Sequence, residues 1–317
     1  MISLPAFRLA RPATLNEAAR LAAEPGACLI AGGTGLLPNL RLGIGAPRTL
    51  VSLDALAQLK GLEISADGIR IGACVSLQTL SNEEKLPTAL REAARSVAAP
   101  GHRSAATLGG NLCLDTRCIY YNQSEHWRRS NSYCLKLGGD TCHVAPQGKK
   151  CRAAYCGDLA PALLALEAQL ETTSRSTPLE HLYRDDGANH IALAPGEIVT
   201  AVRIPAPKGR SGYAKARARG AIDYPLAGVA MVLSLNNGQI AELRAALTGT
   251  NARPFVLAGT DSLEGAKPDD AGPALMKLVQ KQAGPMRTTV TAADYRRQAA
   301  AIHARRLLER LSKGELS

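Results

Sequence analysis

The apolar residues of segment 14–24 (TLNEAARLAAE) fall on one helical face at Leu15, Ala18, Leu21 and Ala22. Thr14 followed three residues later by Glu17 has the pattern of a capping box, and Pro25-Gly26 stops the helix. Cys28 to Ala31 then reads as a short buried strand, which runs into Gly32-Gly33-Thr34-Gly35 and a short helix or turn from Leu36 to Arg41. Residues 49–53 predict another strand. Residues 69–75 (IRIGACV) predict a further one, with Ile69, Ile71, Ala73 and Val75 on one face. A helix over 86–98 tolerates Pro87 in its first turn. Residues 158–170 put Leu159, Leu163, Leu166 and Leu170 on one helical face, and 198–204 reads as a strand ending at Pro205. Pro205, Pro207, Gly209 and Gly212 mark a boundary. Beyond it, 228–235 and 239–247 flank Asn236-Asn237-Gly238, a strong hairpin signal, and 292–312 predicts a basic amphipathic helix.

Segment 113–157 has neither period. It is polar, carries four glycines, and holds six of the eight cysteines: Cys113, Cys118, Cys134, Cys142, Cys151 and Cys156. A stretch this long without regular structure is either disordered or held by something, and cysteine ligation would supply the restraint. Cys28 and Cys74 lie alone in apolar segments.

At 317 residues and 46% apolar, the chain is long enough for two or three packed units. No run of 18 uncharged apolar residues suggests a membrane span. The N-terminal residues lack the apolar core and cleavage site of a secretory signal, so a cytoplasmic protein is expected. In that compartment structural disulfides are rare. The net charge of +11 raises the question of nucleic acid. With 3% aromatic residues, one Trp and two Phe, the chain has too few stacking platforms for single strands. The basic residues are scattered, with modest clusters at Arg128 and Arg129, at Lys149 and Lys150, and over 295–310. They make either a solvated surface or a docking face for an acidic protein.

Two glycine-rich turns carry the candidate chemistry. Gly32-Gly33-Thr34-Gly35 follows a strand, and glycines there let backbone N–H groups approach a pyrophosphate closely. The loop has neither G-x-G-x-x-G spacing nor a P-loop lysine, so a tight strand-to-helix turn is an equal reading of the spacing alone. Thr107-Leu108-Gly109-Gly110-Asn111 has the same chemistry, and two such loops could clamp one dinucleotide from opposite sides.

AGGT (31–34), TLGGN (107–111) and GDLAPALLAL (157–166) together resemble the FAD-binding subunits of the xanthine oxidase family of molybdenum enzymes. The resemblance implies an α+β fold. Residues 1–206 would form a two-subdomain FAD-binding module of the vanillyl-alcohol-oxidase (PCMH) type, with subdomains of about 1–55 and 56–206. Residues 207–317 would form a small C-terminal α+β domain. It also implies that FAD is held by Leu29, Ile30, Ala31, Gly32, Gly33, Thr34, Gly35 and Leu36, by Thr107, Leu108, Gly109, Gly110 and Asn111, and by Asp158, with Lys215 near the flavin ring. Asp158 also sits where a helix N-cap belongs, and a strand lysine such as Lys215 can equally point to solvent.

In most relatives the TxGGN loop reaches the GDLxPxLL segment after a handful of residues, whereas here more than 40 intervene. Runs such as NLCLDTRC, YNQSEHWR and YCLKLGGDTCHV resemble the extra loop of the 4-hydroxybenzoyl-CoA reductases. That likeness implies a [4Fe–4S] cluster on Cys118, Cys134, Cys142 and Cys151, spaced C-x15-C-x7-C-x8-C. Zinc on four thiolates is the rival, although these four form no C-x2–4-C knuckle among themselves. His143 reads as a surface or supporting group, Cys113 and Cys156 as small buried residues beside the flavin module, and Trp127 as part of a satellite core.

No catalytic residue is expected on this chain; the cofactors carry the chemistry. The resemblance implies partners: a molybdopterin-binding large subunit and a small subunit with [2Fe–2S] clusters, assembled as a dimer of heterotrimers. Electrons from ferredoxin, received at Arg128, Arg129, Lys149 and Lys150, would drive reductive dehydroxylation of an aromatic CoA thioester. The alternatives are a hydroxylase or dehydrogenase subunit that passes electrons outward, and, more distantly, a zinc-stabilised scaffold.

Overall fold

The computed structural model describes residues 3–206, 208–284 and 286–314. Three sheets organise the chain. The first is parallel, in the order Arg8–Ala10, Thr49–Ser52, Ala27–Ile30. Helix Leu15–Ala22 packs Ala18 and Leu21 among Val51, Leu53 and Leu56 beside it. Thr14 caps this helix by accepting the Glu17 N–H at 3.2 Å, and the Glu17 carboxylate reaches back to the Ala13 N–H.

The second sheet is antiparallel, in the order Leu62–Ser65, Gly68–Gly72, Val199–Pro205, Gln169–Thr172, Ser176–Pro178. Its alternating residues Ile69, Ile71, Val202 and Ile204 share the largest core with helices Thr88–Ser96 and Leu159–Ala165. The third sheet pairs Arg210–Ala216, Ala227–Asn236, Gln239–Thr248 and Phe255–Val256. Asn237 and Gly238 both have positive φ, as a two-residue type I′ hairpin requires. Helices Pro268–Gln282 and Ala293–Lys313 pack on this sheet through Leu275, Val279, Ala300, Ala304 and Leu308.

Several sequence expectations are corrected. The helix from 158 ends at Ala165; Glu167 takes φ +57° and Leu170 lies in a strand. All of these leucines are buried, so their spacing kept a helical period although the chain leaves the helix after Ala165. Gly212 lies inside strand Arg210–Ala216, where a Cβ would meet Leu307 and Arg310. Segment 113–157 contains one regular helix, Glu125–Ser130, capped by Ser124. No helix among the described residues is long and apolar enough to cross a membrane.

Candidate cofactor site

Strand Ala27–Ile30 ends at the rim of a cavity of about 460 Å³, within the range of ligand sites. Its walls include Leu29, Ile30, Ala31, Gly32, Gly33, Thr34, Gly35 and Leu36 from the first glycine loop. Thr107, Gly109, Gly110 and Asn111 come from the second, and Asp158 from beyond the insertion. Leu108 is absent from the walls, because its side chain is fully buried in the main core.

The two loops are not chemically equivalent. In the first, Gly33 has φ +70°, and a Cβ on Gly32 would stand 1.8 Å from the Ala105 carbonyl oxygen. Only glycine therefore allows this loop to touch helix Pro100–Ala105. Among the described residues, none of the amides of Gly32, Gly33, Thr34 and Gly35 donates to a protein acceptor. Four consecutive N–H groups without partners form a backbone concavity suited to an anion. In the second loop the four amides after Thr107 are all used. Leu108 donates to Val75 O, Gly109 to Ala73 O, Gly110 to Thr107 Oγ1 and Asn111 to Thr107 O. It supplies close-approach surface rather than donors, against the expectation of two matching cradles.

Asp158 does not cap its helix with its side chain. Asn111 performs that task across 48 residues of sequence, its Oδ1 accepting the Leu159 N–H at 3.0 Å. The Asp158 carboxylate instead accepts from the Tyr213 hydroxyl at 2.7 Å, from Ser96 Oγ at 3.3 Å and from Lys215 Nζ at 3.0 Å. Both side chains of this ion pair are 4% exposed, so Lys215 does not point to solvent. It stands behind the cavity wall and also donates to the Ser96 carbonyl.

The roof comes from residues 217–226, which join two strands of the third sheet. Ile222 adopts φ +51° and Ala98 φ +43°, conformations uncommon for side chains with a Cβ, and the Ile222 N–H donates to Ala98 O. Such backbone strain concentrates where ligands bind. Tyr224 lies face-on to Arg117, with 4.5 Å from the guanidinium carbon to the ring centroid. Arg117 donates Nη1 to Asn39 Oδ1 at 3.0 Å, while its Nε and Nη2 are buried without partners.

The eight cysteines divide equally between two cavities. Cys28, Cys74, Cys113 and Cys156 line the large one, so the first two are not solitary core residues. Burial pushes the thiol of Cys28 up, those of Cys74 and Cys156 up to about 11, and that of Cys113 up to about 12. All four stay protonated at neutral pH and act as small apolar groups.

Cys118, Cys134, Cys142 and Cys151, each at most 8% exposed, surround the second cavity with Tyr120, Tyr121, Lys136 and His143. The space between them is small, about 10 Å³. Among the described residues no three or more His, Cys, Asp or Glu side chains are drawn together as a single-ion site. The four thiols that the sequence singles out thus line one small pocket, on loop segments of the insertion. Lys136 brings positive charge, lying 4.2 Å over the Tyr121 ring and paired to Asp115. Burial works against the Asp115 carboxylate, yet the Lys136 charge and hydrogen bond hold it below the usual range. His143 bonds the Tyr133 carbonyl and packs 5.2 Å from Tyr120, and Trp127 lies 6.2 Å from Tyr120, a satellite cluster over the thiols.

Arg128 is not a docking residue. Its side chain is 1% exposed, paired to Glu125 and bonded to the carbonyls of Leu42, Gly43 and Gln123, so it pins the insertion to the first module. Arg129, Lys149 and Lys150 are exposed.

Comparison with known proteins bears on the whole chain. Residues 5–207 match the family described as the FAD binding domain in molybdopterin dehydrogenase. The chain belongs to that family. Residues 211–311 match the CO dehydrogenase flavoprotein C-terminal domain. The FAD-binding subunit PaoB of the Escherichia coli K12 aldehyde oxidoreductase is 34% identical over 81% of this chain and 85% of its own. The carbon monoxide dehydrogenase medium chain of Afipia carboxidovorans is 27% identical over 96% of both. A solved carbon monoxide dehydrogenase from Oligotropha carboxidovorans superposes with a TM-score of 0.79 at 24% identity, covering 98% of this chain and 99% of that one. This flavoprotein therefore has the expected α+β architecture of an FAD-binding domain and a C-terminal flavoprotein domain.

Proposed function

We propose that this flavoprotein is the FAD-carrying electron-transfer subunit of a cytoplasmic molybdenum hydroxylase or dehydrogenase complex. The proposed complex adds a molybdopterin-binding large subunit and a small [2Fe–2S] subunit, and pairs as a dimer of heterotrimers. The observation that carries the reading is the row of unpartnered amides at 32–35, in residues that line a cavity of about 460 Å³, within a chain of this family. Residues 29–36 would hold the pyrophosphate region, with Gly109 and Gly110 opposite and the Asp158–Lys215 pair behind. FAD, when bound there, supplies exchange of one or two electrons. The chain's own part is to bind it, roof it with Ile222 and Tyr224, and keep four neutral thiols around it. The domain limits 1–206 and 207–317 belong to the same reading.

The four-thiol pocket favours a finer second reading. A [4Fe–4S] cluster on Cys118, Cys134, Cys142 and Cys151 would make this a 4-hydroxybenzoyl-CoA reductase-like subunit that receives electrons from ferredoxin. The names of the relatives, oxidoreductases and dehydrogenases, support the outward direction instead. Purification of the complex with its neighbouring subunits, followed by assay with reduced ferredoxin and with oxidising acceptors, decides the direction.

Single Cys→Ser changes at 118, 134, 142 or 151 are expected to lower bound iron and acid-labile sulfide at least tenfold. The same change at Cys28 or Cys74 should leave both intact. Iron lost from Cys28→Ser but kept by Cys134→Ser would overturn the ligand set.

Reversing Arg129, Lys149 and Lys150 to Glu is expected to slow ferredoxin-driven reduction about tenfold at low ionic strength, with the difference shrinking as salt is added. Equal rates for the triple variant and the parent at low salt would remove this face as the docking surface.

A further inference from the structure

Arg296, on helix Ala293–Lys313, has its side chain 1% exposed. Nε donates to Leu226 O at 3.0 Å, and Nη1 donates to Met286 O at 3.0 Å and to Thr288 Oγ1 at 2.5 Å. Nη2 is buried with no acceptor. Each of its partners is neutral. A cation held in this way has paid desolvation without receiving a counter-charge, an arrangement that is costly unless an anion stands nearby.

Two contacts indicate where that anion belongs. The Thr288 carbonyl accepts the Ile119 N–H at 2.9 Å, and Ile119 follows Cys118 of the thiol pocket directly. The guanidinium is also close enough to Cys156 of the large cavity, and to Cys118, for negative charge at either sulfur to act on it. Burial pushes the guanidinium pKa below its ordinary value, and negative charge placed at those sulfur positions would oppose the shift.

We propose that Arg296 is the buried counter-charge of an anionic iron–sulfur centre held by Cys118, Cys134, Cys142 and Cys151. This rests on the cluster reading above. A cube ligated by four thiolates is anionic when oxidised and gains one further negative charge on reduction, with no bond made or broken. A fixed buried cation near the pocket stabilises the reduced form more than the oxidised one, and net charge and surrounding hydrogen bonds are what set such potentials.

The test is redox titration of the intact complex with dithionite, following the cluster by electron paramagnetic resonance and the flavin by its visible absorption. Arg296→Gln is expected to lower the cluster's reduced-to-oxidised ratio at least tenfold at fixed potential, about 59 mV for one electron. Arg296→Lys should keep most of the parent potential. Thr288→Val, which only loosens the guanidinium, should move it part of the way in the same direction, and it replaces Arg296→Gln if that protein does not fold. A cluster present at parental iron content with unchanged potential in Arg296→Gln, or in Thr288→Val where that variant stands in, overturns the proposal. A shift confined to the flavin also overturns it. Absence of iron from the parent complex is a different result, because it removes the cluster reading itself.

Discussion

Gly32→Ala is expected to lose FAD almost completely. The added methyl would stand 1.8 Å from the Ala105 carbonyl oxygen, a backbone atom that cannot rotate aside. The first glycine loop and helix Pro100–Ala105 would have to separate, and the amide row at 32–35 would move with them. Overpacking of this kind costs about 3 kcal/mol at the upper end of the usual range, so affinity should fall about 100-fold. Flavin content after gel filtration, read from the visible absorption of the denatured supernatant, measures this directly. Gly101→Ala is the control, since a Cβ there meets nothing within 4 Å. Equal flavin content in Gly32→Ala and the parent would sink the assignment of this loop.

Asp158→Asn should destabilise the protein by about 3–5 kcal/mol, the usual consequence of leaving one member of a buried ion pair without its partner. Lys215 would keep the Ser96 carbonyl but lose the Asp158 carboxylate, at a side chain 4% exposed. The Tyr213 hydroxyl would also lose a charged acceptor. A double change, Asp158→Leu with Lys215→Met, removes both charges and should recover most of the loss. Urea unfolding at one fixed FAD concentration provides the comparison, because bound ligand itself raises stability. If Asp158→Asn unfolds within 0.5 kcal/mol of the parent, at about the scale of surface changes, the pair has no such role.

Local features of the site were legible in the sequence because their causes are local. A strand before a glycine run, and Asn-Gly between two alternating segments, each point to the structure they make. What escaped depends on distant chain. Asn111 caps a helix that begins 48 residues later. Cys28 and Cys74 reach the cavity only because the strand and turn that carry them end there. Arg128 looked like surface charge, since nothing in its neighbours reveals the carbonyls of Leu42 and Gly43 that receive it. The helix at Leu159–Ala165 was overextended for another reason: it is buried on all sides, so it has no polar face, and the buried Leu166 and Leu170 beyond it keep the helical spacing.

The roof over the cavity belongs to the segment matched by the C-terminal flavoprotein domain, while the glycine turns belong to the preceding match. Any chimaera that joins one relative's nucleotide-binding half to another's tail would thus inherit a mismatched ceiling. Exchange should succeed only if residues 217–226 travel with the half they cover, so recombination has reason to treat both parts as one inherited unit.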